Sequence, residues 1–200
     1  EASWQRAEVD ALYLLAAAGV RVPQPYNFHE GVLLMELVAD ADGEPAPRLN
    51  DLELTPEQAR QYHAALIRQV VLMLCAGVVH GDLSEYNVLV GSDGPVIIDL
   101  PQAVDAAANN NASRMLQRDV DNLAAYFGRF APELLATDYG REIWALYERG
   151  ELHPDSPLSG HFQVSQAPVD VVAVLRDIDA VRKEEAARLL YRQMIKEDGR

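Results

Sequence analysis

Two hundred residues can hold one good core or two unequal lobes, and 49% hydrophobic with 24% charged residues is the balance of a globular domain. A formal net charge of −14, from 31 acidic and 17 basic residues, excludes a surface built to wrap nucleic acid and gives no attraction to an anionic membrane. The apolar run "VVLMLCAGVV" is too short to span a bilayer. Its Cys75 is the single cysteine, so no intrachain disulfide can form; it reads as a small buried hydrophobe in a reducing cytoplasm.

In chain order, "SWQRAEVDALYLLAAAGV" reads as a helix capped by Ser3 and stopped at Gly19. Pro23 and Pro25 hold "VRVPQP" extended, and "YNFHEGVLLMELV" reads as a strand pair turning at Glu30–Gly31. The acidic stretch 39–54, "ADADGEPAPRLNDLEL", reads as a linker because of its Pro and Gly. Thr55, Pro56 and Gln58 then mark a helix start, and Gly77 its stop. Ala59, Tyr62, Leu66, Val70 and Leu74 share one face of that helix.

Further on, "NNNASRMLQRDVDNLAAYFGRF" and "PELLATDYGREIWALYERG" read as helices, the second broken at Gly140. A loop over 150–167 precedes a long amphipathic helix ending near Asp198. The outline is α+β: a small mixed start over 1–38, a linker over 39–54, and a mostly helical part over 55–200 that carries one hairpin.

The chemistry lies at that hairpin, "VVHGDLSEYNVLVGSDGPVIIDL". If 88–90 pairs with 95–99 across Gly91–Gly94, Leu89 faces Val96 and Asn87 lies opposite Ile98. Asn87 and Asp99 then leave the hairpin at the same end, with Cα atoms roughly 5–7 Å apart, and Asp82 can reach that end too. An amide oxygen beside a carboxylate is a hard-oxygen pair suited to Mg²⁺, and Asp82 is left free to accept a proton. That division of labour suits phosphoryl transfer. The spacing His80-x-Asp82-Leu83-x-x-x-Asn87, followed by a strand ending in Asp99, is the catalytic-loop and metal-aspartate pattern of protein kinases. The bland alternative is a set of turn residues. His80, between apolar neighbours, reads as a packed support for the loop.

"HGDLSEYNVLV", "IIDLPQAVD" and "NNNASRMLQRDVDNLAAYF" together resemble the RIO family of atypical protein serine/threonine kinases. The resemblance implies a protein-kinase-like fold: a helical large lobe with the catalytic hairpin, after a truncated small lobe made of helix C, a strand pair and a hinge. It implies ATP and Mg²⁺, with Mn²⁺ as an alternative ion. Asp82 would be the catalytic base, and Asn87 and Asp99 the metal ligands. Asp99 can itself take the phosphoryl group in that family, so ATPase activity is also implied. Glu36 and Val38 would offer backbone groups to adenine after the bulky Met35, and Leu89 would floor the pocket. Glu8 would be the helix C acid that pairs with a lysine. For Met35 and Leu89 the competing reading is strand packing, and for Glu8 a solvated first-turn residue. Arg118–Asp119 would brace the catalytic loop, against an exposed helical ion pair. The acceptor would be a protein or a ribosome-related component in the cytoplasm, and the Ala-rich style suggests a bacterial member.

Two kinase features are absent. Residues 1–79 contain no lysine, and their glycines, at 19, 31, 43 and 77, are far apart; the two lysines of the chain are Lys183 and Lys196. The chain opens at Glu1 where helix C would open, so it is expected to be a fragment lacking the first small-lobe strands and to bind Mg·ATP poorly. The nearest rival is a small-molecule kinase of the aminoglycoside or choline phosphotransferase type, disfavoured by Ser84–Glu85–Tyr86 and by "LPQAVD" after Asp99. A non-catalytic kinase-like interaction module has no need for all of Asp82, Asn87 and Asp99. A metal-dependent hydrolase finds no metal spacing among the histidines, and paired-carboxylate glycosidase chemistry has no use for the neighbouring Asn.

Overall fold

The structure, a computed structural model, describes residues 2–162, with side chains from Ala7 onward. Helix α1 (Ala2–Ala17) ends as expected at Gly19, whose N–H donates to Ala16 O at 3.1 Å while Val20 N–H donates to Leu15 O at 3.0 Å. Its start is earlier than expected, since the helix already includes Ser3. Strands β1 (Pro25–His29) and β2 (Val32–Met35) pair antiparallel about Glu30–Gly31, both with positive φ (49° and 82°), as the sequence suggests.

The stretch 39–54 is not a free linker. Ala39 bridges Pro45, Arg48 bridges Leu89, and Val90 N–H donates to Pro47 O at 2.9 Å. Leu49 within it is fully buried, and its carbonyl accepts the Tyr126 hydroxyl at 2.7 Å. Its acidic residues with Pro and Gly suggested a surface stretch but said nothing of its apolar anchors, since Leu52 and Leu54 also pack against the core. It belongs to a single compact unit, Glu1–Phe162, so the divisions drawn at 38 and 55 fall inside that unit.

Helix α2 (Pro56–Cys75) opens with the expected reciprocal cap: Thr55 Oγ1 accepts Gln58 N–H at 3.2 Å, and Gln58 Oε1 accepts Thr55 N–H at 2.9 Å. Its buried stripe, including Leu66, Ile67, Val70 and Leu74, meets Leu15, Val79, Leu83, Leu116 and Phe127 in the core. Each such side chain contributes about 1.5–3 kcal/mol by leaving water. Cys75, expected to be buried, is exposed, because it is the last residue of α2 and the buried stripe ends at Leu74.

Strand β3 (Val78–Val79) pairs with β6 (Val104–Asp105), and β4 (Val88–Gly91) with β5 (Gly94–Ile97). The β4–β5 register is the expected one, with Leu89 opposite Val96 and Val90 opposite Pro95. Helix α3 (Ala112–Phe127) follows, then a 3₁₀ turn (Pro132–Ala136) and α4 (Tyr139–Glu148). The break falls at Thr137–Asp138 rather than at Gly140. Gly140 lies inside α4, where an added Cβ would stand 3.1 Å from Gln117 Cα, so it serves close approach of α3 and α4. The expected C-terminal helix lies outside the described residues. No helix among the described residues is long and apolar enough to cross a membrane.

Candidate active site

The β3–β4 loop is fixed from α3. Asp119, 2% exposed, accepts Gly81 N–H at 2.7 Å on one carboxylate oxygen and Leu83 N–H at 3.1 Å on the other. Arg118 donates to the Gly81 carbonyl, and Asn122 Nδ2 donates to Leu83 O at 3.2 Å. The residues on either side of Asp82 are therefore held by three side chains, Arg118, Asp119 and Asn122, from little more than one turn of α3. Arg118 and Asp119 brace the loop, and the exposed ion pair is not formed. Burial pushes the Asp119 carboxyl up to about 6, against the two N–H bonds that favour its charged form.

Gly81 is required at its position. Its φ is +84°, and an added Cβ would lie 2.7 Å from the Gln102 carbonyl oxygen. His80, also 2% exposed, places Nε2 3.1 Å from Ile98 O and accepts Asp82 N–H on Nδ1 at 3.3 Å. One neutral tautomer, protonated on Nε2, satisfies both contacts, and burial lowers the ring's pKa in the same sense.

Asn87 Nδ2 donates to Asp82 O at 2.8 Å and lies 3.5 Å from Asp82 Oδ2, which leaves Asn87 Oδ1 free to face outward. Ile98 N–H donates to Asn87 O at 3.0 Å and so locks the hairpin's open end. Asp99 leaves that end in the left-handed region, φ 68°, a conformation Asp tolerates better than most residues.

Asn87 and Asp99 line one cleft of about 540 Å³, together with Leu89. Glu8 of α1 lines it, as do Met35, Glu36 and Val38 from the β2 exit. Asp82 is not part of that lining; it is joined to it through Asn87. The Glu36 N–H donates to Gln24 O at 2.8 Å and the Val38 carbonyl accepts Ala46 N–H at 2.9 Å. The Glu36 carbonyl and the Val38 N–H keep no partner among the described residues.

Sequence reasoning missed Arg21. Its guanidinium holds Glu36 in two bonds, 2.8 and 2.9 Å, and its Nε donates to Asp93 at 3.0 Å in the β4–β5 turn. Glu36 also accepts Gln24 N–H at 3.0 Å. The guanidinium holds Glu36 and Asp93 below the usual carboxylate range, and Glu36 raises Arg21 further. The partners are 15 and 72 residues away, so no local pattern announces them. Among the described residues no three His, Cys, Asp or Glu side chains converge to hold a metal by themselves.

The RIO domain model matches residues 1–139. The chain belongs to the RIO family. It is 41% identical over 132 residues to the RIO-type serine/threonine-protein kinase Rio1 of Haloferax volcanii, covering 64% of this chain and 42% of that one. It is 35% identical over 130 residues to the Rio1 kinase of Thermoplasma acidophilum, covering 65% and 66%. To human serine/threonine-protein kinase RIO1 it is 32% identical over 128 residues, covering 64% and 22%. The chain spans less than half of the Haloferax relative, 42%, and 25% of the Schizosaccharomyces pombe one. RIO membership brings a protein-kinase-like fold, with which the four helices and small two-stranded sheets described here accord. These relatives, two of them archaeal, give no support to the bacterial origin expected from composition.

Proposed function

We propose that the cleft binds ATP with a divalent cation, and that the chain carries the transfer centre of a RIO-type serine/threonine protein kinase or ATPase. The observation that supports it most is the meeting in one cleft of Asn87 and Asp99 with the β2-exit residues Met35, Glu36 and Val38, from well-separated parts of the chain.

The donor set fits Mg²⁺. The Asn87 amide oxygen, left free by its Nδ2 bond, and the Asp99 carboxylate are two hard oxygens, which leaves room for phosphate oxygens and water. Bound there, the cation would neutralise charge on the phosphates; Mn²⁺ satisfies the same donors. Adenine would lie against Met35 and Leu89 and use the free Glu36 carbonyl and Val38 N–H. Glu8 is the helix acid of this centre. Residues 1–38 correspond on this reading to part of a kinase small lobe, and 55 onward to the helical lobe, the expected remainder of which, 163–200, lies outside the described residues.

Asp82, its flanking peptides fixed by Asp119, accepts the proton of an incoming hydroxyl. The hydroxyl oxygen bonds to the γ-phosphorus as the bond to the β–γ bridging oxygen breaks, and ADP departs with that electron pair. Asp99 is the residue that would receive the phosphoryl group in an ATPase cycle. A protein acceptor, ribosome-related or otherwise, and a cytoplasmic setting go with this reading.

The test is transfer of labelled γ-phosphate to protein serine, compared with aminoglycosides and choline. Asp82→Asn is expected to lower the rate by about 10²–10⁴-fold. Label appearing on the small molecules instead would replace the protein-kinase reading with the small-molecule one. The 200 residues place no lysine near the cleft among those described, so weak Mg·ATP binding is expected of them.

A further inference from the structure

The cleft carries negative charge of its own. Glu8 and Asp99 line it without ion-pair partners among the described residues, and the chain's formal net charge is −14. A polyphosphate approaching it meets repulsion that one divalent cation does not fully cancel. The other charged lining residues are Glu36, which is occupied by Arg21, and Arg48.

Arg48 is the single basic side chain among the lining residues. Its backbone is pinned: it forms a β-bridge with Leu89, and the preceding Pro47 carbonyl accepts Val90 N–H at 2.9 Å. Direct cross-strand partners share a sheet face, and residues two apart on one strand share it as well. Arg48 and Leu89 therefore share a face, and both line the cleft with Asn87, which ends the short 3₁₀ turn Glu85–Asn87 just before β4. Arg48 and Asn87 border the same cleft, with Leu89 two residues after Asn87 as the bridge partner of Arg48. The guanidinium is exposed and has no hydrogen-bond or ion-pair partner among the described residues. Arg21, by contrast, is fully engaged with Glu36, Asp93 and the Val22 carbonyl.

We infer that Arg48 is a nucleotide-specificity residue: its guanidinium binds the phosphate oxygens of the nucleotide held at Asn87 and Asp99, so that affinity depends on the number of phosphates. The inference rests on the nucleotide reading above. A planar fork of donors suits a phosphate bidentately, and no proton leaves it at any working pH.

The experiment is equilibrium binding of adenosine, ADP and ATP, each with Mg²⁺, to the full chain and to Arg48→Gln and Arg48→Lys, by calorimetry at low and high salt. Arg48→Gln should weaken ATP by about tenfold to a hundredfold, and ADP by less, while adenosine is unchanged. Arg48→Lys should recover only part of the ATP affinity, keeping the charge without the bidentate fork, and the wild-type advantage should shrink with salt. Equal ATP affinity in wild type and Arg48→Gln overturns the inference and leaves the nucleotide reading standing. Equal loss of adenosine and ATP also overturns it, since that marks a packing role for the 45–48 segment. A wild-type chain that binds none of the three even when the ligand is raised to millimolar concentration overturns both readings together.

Discussion

Asp119 accepts the N–H of Gly81 at 2.7 Å, so a carboxylate buried in α3 fixes the peptide that leads into Asp82. Its second oxygen does the same for Leu83 on the far side. Asp119→Ala should strand two buried N–H groups, at about 1–3 kcal/mol each, and loosen the loop. Denaturant unfolding measures the first effect and phosphoryl transfer the second.

The pH dependence of Asp119 has a definite sign. Its folded pKa of about 6 is above the ordinary 3.8, so its contribution is fully present below pH 3.8 and is lost as pH rises through about 6. The stability of wild type relative to Asp119→Asn should decline over that window, by about 2–3 kcal/mol, and stay flat above it. Paired unfolding curves between pH 4 and 8 check this.

His63 has the opposite sign. It is buried in α2 against Phe127 and Tyr139, both at 5.7 Å between ring centroids, and its Nε2 has no partner among the described residues. Burial lowers its pKa to about 4, from 6.5. Stability from the neutral ring is present above pH 6.5 and lost as pH falls towards 4, and His80, lowered by burial too, acts in the same direction. His63→Leu should change little at pH 7 and should stabilise by about 3 kcal/mol at pH 4. Thermal unfolding at the two pH values measures it.

Gly81→Ala should fail on two counts, the positive φ and the approach to the Gln102 carbonyl. The cost is about 2 kcal/mol or more, with loss of transfer activity larger than the loss of fold. Unfolding and rate measurements on the same preparation separate the two.

Arg21 ties the β2 exit at Glu36 to the β4–β5 turn at Asp93. The pair with Asp93 is solvent-exposed and contributes little; the bidentate bond to Glu36 carries more. Arg21→Met should cost about 1 kcal/mol in stability and weaken nucleotide binding about fivefold, with Glu36→Gln giving a smaller loss in the same assay.

What the sequence could tell depended on distance along the chain. The β4–β5 register was legible because Gly91 and Gly94 bracket a short turn, and alternation around it fixes which residues face each other. The α2 cap was legible because Thr55 and Gln58 are three residues apart. Arg21 was not, because its partners come from the β2 exit and the β4–β5 turn. The role of 39–54 was hidden by composition, since its acidic residues with Pro and Gly suggest a surface stretch while Leu49, with Leu52 and Leu54, decides where the segment packs. Gly140 misled for a related reason: a glycine that admits a neighbouring helix and a glycine that ends its own look alike in one dimension. Asp119 stood between these cases. Its motif was recognisable, but only burial separates a brace from a surface ion pair.

The central claim is that Asn87 and Asp99 hold a divalent cation with the nucleotide while Asp82 acts on the acceptor. Mg²⁺-dependent ATP binding to wild type, Asp99→Ala and Asp82→Asn tests it most directly. The account predicts that Asp99→Ala loses the Mg²⁺-dependent part of the affinity, whereas Asp82→Asn binds like wild type and does not transfer phosphate. Unchanged Mg·ATP affinity in Asp99→Ala would contradict it.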